Sequence, residues 1–313
     1  MLKNKTLVYS QTFPGGKGGQ KMTFFYNLPH ANMSCLFLGT GTSISSSAVR
    51  FLASSNVMVG FVGGESSPLA ISDAVFMPSV TYRPSAYMQS WVEIWRDDSR
   101  ALEAAKTLIE KRVSFTLKAW ETNDYLRSHK MFLSKEDEQK IVDSVRLSGD
   151  RASIMGIEGS RTKNAYRRLA EIIEDETFKR TRRGYNVNEE DSPIKTDEVN
   201  IRLDMGNHIA YGMASAAIHA LGISFSFPLL HGNSRRGGLV FDVADIVKDA
   251  LVLPLAFESV ATGKTRKEYR KAVLLAMKKA EVIDVCIDVL KEIIDSAKNR
   301  RKSASGDIRC ILS

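Results

Sequence analysis

Residues 81–113 read TYRPSAYMQSWVEIWRDDSRALEAAKTLIEKRV, and at this stretch the chain changes character. Pro84 suits the first turn of a helix, where its missing N–H would have had no intrahelical partner. From Ala86 onward apolar residues recur at helical spacing. Ahead of it, KTLVYSQ, KMTFFYN, SCLFLG, VMVGFVG and AVFMPSV are short, β-branched and aromatic, and punctuated by Gly, Pro, Asn and Ser. One helix over 43–54 interrupts these strands. Behind the stretch the pattern predicts helices over 136–146, 158–174, 198–221, 242–260 and 265–296, with a short strand around ISFSFPLLH. The expected fold class is α+β. A small N-terminal β-rich domain over 1–86 precedes a larger all-α C-terminal domain over 87–313.

Charge follows the same division. Residues 1–90 carry six Lys/Arg and two acids, Glu65 and Asp73, although the whole chain has 44 Lys/Arg and 36 Asp/Glu. A charge-poor β unit is what a domain with large contact surfaces would look like. The net charge of +8 would draw the protein to polyanions, a weak pointer by itself. Two segments read as irregular surface: 175–197, with Lys179, Arg180, Arg182 and Arg183, and the basic tail from about 298. The three cysteines are widely spaced, which argues against a disulfide framework and a zinc cage. The N-terminus lacks the apolar run of a signal peptide and no stretch approaches ~18 apolar residues, so a soluble cytoplasmic protein is expected.

Several motifs fail. GGKGGQK at 15–21, GTGTSI at 39–44 and TGKTR at 262–266 each lack the spacing of a phosphate loop and read as turns or helix starts. No nucleophile elbow is present. His30, His129, His208 and His219 are scattered without ligand-like spacing.

One cluster remains. In LLHGNSRRGGLVFDVADIVKDAL, residues 229–251, His231, Asp242 and Asp245 sit inside an otherwise apolar run. Buried carboxylates are costly unless paired, hydrogen-bonded or metal-bound. Asp242 and Asp245 share a helix face, and a place for Asp242 in the first turn would make it an ordinary cap. That explanation does not cover Asp245 or His231. Histidine with carboxylates and no thiol suits Mg2+ or Mn2+. Upstream, MGIEGSRTKNAYRRLAEII opens a helix at Gly156–Gly159 with Glu158 at its start. Taken alone, each of these residues could simply cap or pair.

Together, GIEGSR…Y and H-x10-D-x2-D resemble the CRISPR-associated integrase of the adaptation module, most closely its subtype I-F members. The resemblance implies a β-rich N-terminal domain and a helical catalytic domain. It implies that Glu158, His231 and Asp245 bind Mg2+ or Mn2+, with Asp242 as a further catalytic acid, near the ion or on a second one. It also implies insertion of spacer DNA into a CRISPR array, by attack of a 3′-hydroxyl on a phosphodiester at the end of a repeat. Partners would be the protospacer duplex, the CRISPR repeat, a second copy of the chain, and a small ferredoxin-like companion fused to the helicase–nuclease. Arg161, Lys163, Arg235, Arg236 and Lys248, with Lys179, Arg180, Arg182 and Arg183, are candidate phosphate contacts. Two other readings stay open: a stand-alone structure-selective endonuclease, and a non-catalytic basic DNA-binding scaffold.

Overall fold

The computed structural model describes residues 2–3, 6–13, 22–29, 33, 35–39, 42–62, 75–76, 84–181, 195–232 and 235–311. The chain divides into two compact units, Met1–Arg83 and Pro84–Ser313.

In the first unit, β1 (Leu2–Lys3), β2 (Thr6–Phe13) and β3 (Met22–Asn27) form an antiparallel sheet. β4 (Cys35–Gly39) is followed by helix α1 (Ser46–Ser54), whose N-cap is Ser45, and by β5 (Met58–Val62), which pairs parallel to β4. β6 (Val75–Phe76) adds antiparallel to β5. Leu7, Ala48, Leu52, Val57 and Val59 make the core of this unit. The glycine-rich 15–21 segment lies outside the described residues.

The second unit is helical: α2 (Ala86–Arg96), α3 (Asp98–Glu121), α4 (Asp124–Ser128), α5 (Lys135–Leu147), α6 (Arg151–Ala170), α7 (Lys195–Ala220), α8 (Gly238–Val247), α9 (Leu253–Ala261), α10 (Arg266–Lys279) and α11 (Val282–Ile311). The fold class is therefore α+β, as the change in periodicity after Pro84 implies. Helix α7 is buried on nearly every side, with α8, α9, α10 and α11 packed around it. A helix apolar all round belongs in the centre of a bundle. Helix α3 packs against α8 on its other side. Among the described residues no helix is long and apolar enough to cross a membrane.

The structure departs from the sequence expectations at several points. No strand forms at ISFSFPLLH. The loop's backbone is claimed elsewhere: the Phe227 carbonyl accepts from Trp91 Nε1, and the N–H groups of Leu229, Leu230 and His231 go to a side chain of α8. Helix α6 starts at Arg151 with Asp150 as N-cap, so Glu158 lies two turns inside it rather than at its start. Helix α8 begins at Gly238, where an added Cβ would lie 2.8 Å from Pro228 Cβ; Asp242 is thus in the second turn. The stretch over 265–296 is two helices, separated at Glu281, whose φ is 48°. The tail from about 298, expected to be irregular, continues α11 to Ile311. TGKTR is a helix start: Thr265 and Glu268 form a capping box for α10.

Candidate active site

Between α8 and α9 the helix takes a π-turn over Lys248–Val252. Such insertions concentrate at functional sites, because they re-aim side chains without ending the helix. Here α8, the π-turn, α3, α5, α6 and the loop before α8 bring ten polar and charged side chains into contact with one another or within one electrostatic neighbourhood.

His231 stands on the loop. Its Nδ1 lies 2.6 Å from Asp242 Oδ1, and the same carboxylate accepts the N–H groups of Leu229 at 2.5 Å, Leu230 at 3.1 Å and His231 at 3.1 Å. Asp242 is 2% exposed, so its oxygens are committed to this loop. It neither caps α8 nor offers a free oxygen to a second ion; its job is to hold the His231 ring. The ring is only partly buried, and a ring fixed through Nδ1 presents Nε2.

Asp245, a turn further along α8, accepts Lys248 Nζ at 2.5 Å. Burial opposes its charge, but the Lys248 ammonium and the Arg112 guanidinium outweigh it and hold the carboxyl below its ordinary value, with His231 close enough to contribute. Lys248 is itself partly buried, 5.3 Å above the Tyr211 ring centroid, and Asp245 overcomes the burial to raise its pKa. Lys248 therefore faces the site as an internal ion-pair partner.

Glu158 reaches the site through Arg112, a residue of α3 with no motif around it. Arg112 NH1 is 2.6 Å from Glu158 Oε1 and 3.8 Å from Asp245 Oδ2, so one nitrogen brings the two carboxylates together. Thr162 closes the triangle, accepting from Arg112 NH2 at 3.1 Å and donating to Glu158 Oε1 at 3.2 Å. Arg112 also donates through Nε to Asp249 Oδ2 at 2.8 Å. Arg161 does not face solvent or a ligand: it is 6% exposed, bonded to Glu138 at 2.7 Å and to Asp249 at 2.9 Å. Its expected phosphate contact is thereby corrected, since both carboxylates are already spent on it. In this network Arg112, Arg161 and Lys248 face Glu138, Glu158, Asp245 and Asp249, leaving one negative charge in excess.

Glu158, Asp245 and His231 have the donor chemistry of a Mg2+ or Mn2+ site, and the Asp242–His231 contact is that of a ligand histidine oriented by an outer carboxylate. The excess negative charge suits a cation. As they stand, no three His, Cys, Asp or Glu side chains among the described residues are gathered closely enough to hold a metal. Arg112 and Lys248 engage the carboxylates instead.

Beside Glu158 opens a cleft of about 640 Å³, lined by Lys163, Tyr166, Arg167, Phe178 and Lys179 among others. Lys163, Arg167 and Lys179 are exposed, and no described carboxylate pairs with them. Phe178 stacks on Tyr166 at 5.7 Å. Arg180, by contrast, is tied to Asp204 and Asn200. Arg235 lies 3.6 Å over the Phe241 ring, and Arg236 is exposed. Arg182 and Arg183 lie outside the described residues. The sequence reading missed Arg112, Asp249, Glu138, Thr162 and Phe178. A lone arginine among the apolar positions of α3 was the visible signal for the first.

The family model of CRISPR associated protein Cas1 matches residues 20–281. The chain is similar to the CRISPR-associated endonuclease Cas1 of Pectobacterium atrosepticum, with 36% identity over 287 residues, 88% of this chain and 85% of the relative. Its fold is similar to that of a TtCas1–DNA complex, with a TM-score of 0.61, 23% identity, and coverage of 86% of this chain and 83% of that one. It is also similar to part of a Cas6-RT-Cas1–Cas2 complex, with a TM-score of 0.62, 14% identity, and coverage of 88% and 32%.

Proposed function

The chain belongs to the CRISPR associated protein Cas1 family, and on that premise we propose that it is a divalent-metal-dependent DNA endonuclease and integrase that inserts new spacers into a CRISPR array. The observation that carries this reading is the convergence of Glu158 and Asp245 on one Arg112 nitrogen, beside a histidine oriented by Asp242. The relative from Pectobacterium is named an endonuclease, and the TtCas1 chain is in complex with DNA.

Glu158, Asp245 and His231 would hold the Mg2+ or Mn2+. When bound, that ion supplies a positive charge to the scissile phosphate and to the attacking and departing oxygens. The chain's own residues do the rest. Asp242 keeps the imidazole from turning. Lys163, Arg167 and Lys179 hold the phosphates of a strand lying in the cleft, and the exposed part of Phe178 offers it a stacking surface. In the reaction, a 3′-hydroxyl gives up its proton and bonds to phosphorus while the bond from phosphorus to the repeat strand's 3′ oxygen breaks, and that oxygen takes a proton. One P–O bond replaces another, so no nucleoside triphosphate is consumed. Insertion at both ends of a repeat needs two such sites. We therefore assign a homodimer, bridged by the small ferredoxin-like companion fused to the helicase–nuclease; a Cas6-RT-Cas1–Cas2 complex among the similar structures supports a protein companion.

The test combines a labelled 3′-OH duplex, a repeat-bearing plasmid, the companion protein and Mn2+. Joining of label to plasmid is the expected result. Cleavage without joining would favour a stand-alone nuclease. Full activity in His231→Ala or Asp245→Asn would overturn the metal site, and a parent that neither cleaves nor joins would be a DNA-binding scaffold.

A further inference from the structure

Asp249 is 5% exposed, and nothing in the reaction described above uses it. It follows Lys248 in the π-turn, where the extra residue shifts the register away from that of α8. Its Oδ2 accepts from Arg112 Nε at 2.8 Å and Arg161 NH1 at 2.9 Å, and Arg112 NH2 lies 2.7 Å away. Arg161 is anchored on its other side by Glu138. A guanidinium is a rigid planar fork, so fixing Nε and NH2 fixes where NH1 points. That remaining nitrogen is the one that meets Glu158 Oε1 and approaches Asp245 Oδ2.

We propose that Asp249 is a positioning residue, which sets where the Glu158 carboxylate stands relative to Asp245 by clamping the Arg112 guanidinium. The proposal rests on the reading that Glu158 holds the ion. A buried network of this kind contributes little net stability, because desolvation offsets most of its attraction. What it does impose is a single geometry: helix α6, which carries Glu158, and helix α8, which carries Asp245, are both referred to one arginine on α3. Outer partners of this sort typically matter by ~10–100-fold in metal affinity or activity.

The experiment measures binding of Mn2+ alone by calorimetry and the Mn2+ concentration for half-maximal cleavage of branched DNA, on the full chain. Asp249→Asn is expected to raise the Mn2+ dissociation constant and the half-maximal Mn2+ concentration by ~10–100-fold while the far-ultraviolet circular dichroism stays that of the parent. Arg112→Lys should behave alike, since one ammonium cannot serve Asp249 and Glu158 together. Asp249→Asn should add nothing to the defect of Glu158→Gln. If Asp249→Asn does not fold, Thr162→Val takes its place: it leaves every ion pair intact, removes the hydroxyl between Arg112 and Glu158, and should raise the Mn2+ requirement. A folded Asp249→Asn, or Thr162→Val in its stead, with the parent's Mn2+ dependence overturns the proposal. Parental cleavage by Glu158→Gln would instead overturn the reading beneath it.

Discussion

Asp242 Oδ1 lies 2.6 Å from His231 Nδ1, and the carboxylate that makes this contact also accepts three consecutive backbone N–H groups of the same loop. The two residues therefore have separable duties. On the proposed function His231 faces the chemistry; Asp242 builds the loop that carries it. Replacing His231 by Ala should leave the melting temperature near that of the parent and reduce cleavage by ~100-fold or more, beyond the usual effect of an outer partner. Replacing Asp242 by Ala should reduce both. Orphaned buried N–H groups cost about 1–3 kcal/mol each where water does not reach them. Thermal melts beside cleavage assays separate the two, and a stable but inactive Asp242→Ala would contradict the assignment.

Arg161 is held between Glu138 and Asp249 and is almost fully buried. Removing one member of a buried pair leaves charge uncompensated, at a cost of ~3–5 kcal/mol. Arg161→Ala should consequently unfold at much lower denaturant. The fraction that remains folded should bind DNA with an unchanged salt dependence. A normal denaturation midpoint with a shallower salt slope would return Arg161 to the DNA surface.

The opposite signature is expected of Lys163, Arg167 and Lys179, which line the cleft beside Glu158 and have no described acidic partner. Each contact to a DNA phosphate releases counterions, so each Ala substitution should reduce the log–log salt slope of binding by about 1. Stability should be unaffected. Phe178→Ala should weaken binding to single strands more than to duplex, because only unpaired bases expose a face for stacking.

These contrasts show which parts of the molecule local sequence could carry. The switch from short β-branched and aromatic runs to helical spacing after Pro84 is a local property, and it carried the fold class. His231, Asp242 and Asp245 lie within one short stretch whose spacing is itself a motif, and Glu158 has its own. Arg112 and Asp249 have neither advantage. They lie 137 positions apart, and their meeting depends on how α3 crosses the π-turn, which no single segment specifies. Arg161 was misjudged for the same reason: an exposed and a buried arginine look alike until Glu138 is placed beside one of them. ISFSFPLLH has the composition of a strand, yet its N–H groups are taken by Asp242, a residue more than ten positions on. The start of α6 was legible in principle. Asp150, three residues before Ser153, is an ordinary N-cap signal that two later glycines obscured.

That cap bears on the site, because α6 carries Glu158. Asp150 Oδ1 accepts the Ser153 N–H at 2.8 Å, and Oδ2 accepts its hydroxyl at 2.9 Å. The two bonds from Ser153 hold the carboxyl below its ordinary value of 3.8, against a small opposing effect of burial. A carboxyl whose pKa is lower in the folded chain stabilises it above the unfolded value and loses that contribution as pH falls through the folded one. Asp150→Ala should therefore melt below the parent at neutral pH, and the gap should close as the pH is taken below 3.8. Asp150→Asn keeps an N-cap acceptor without a titrating group, so it should melt near the parent at neutral pH and show no such closure. Paired melts across the acid range check the sign. A gap for Asp150→Ala that stays constant into acid would mean that the charge on Asp150 contributes nothing and that the cap works through its hydrogen bonds in either protonation state.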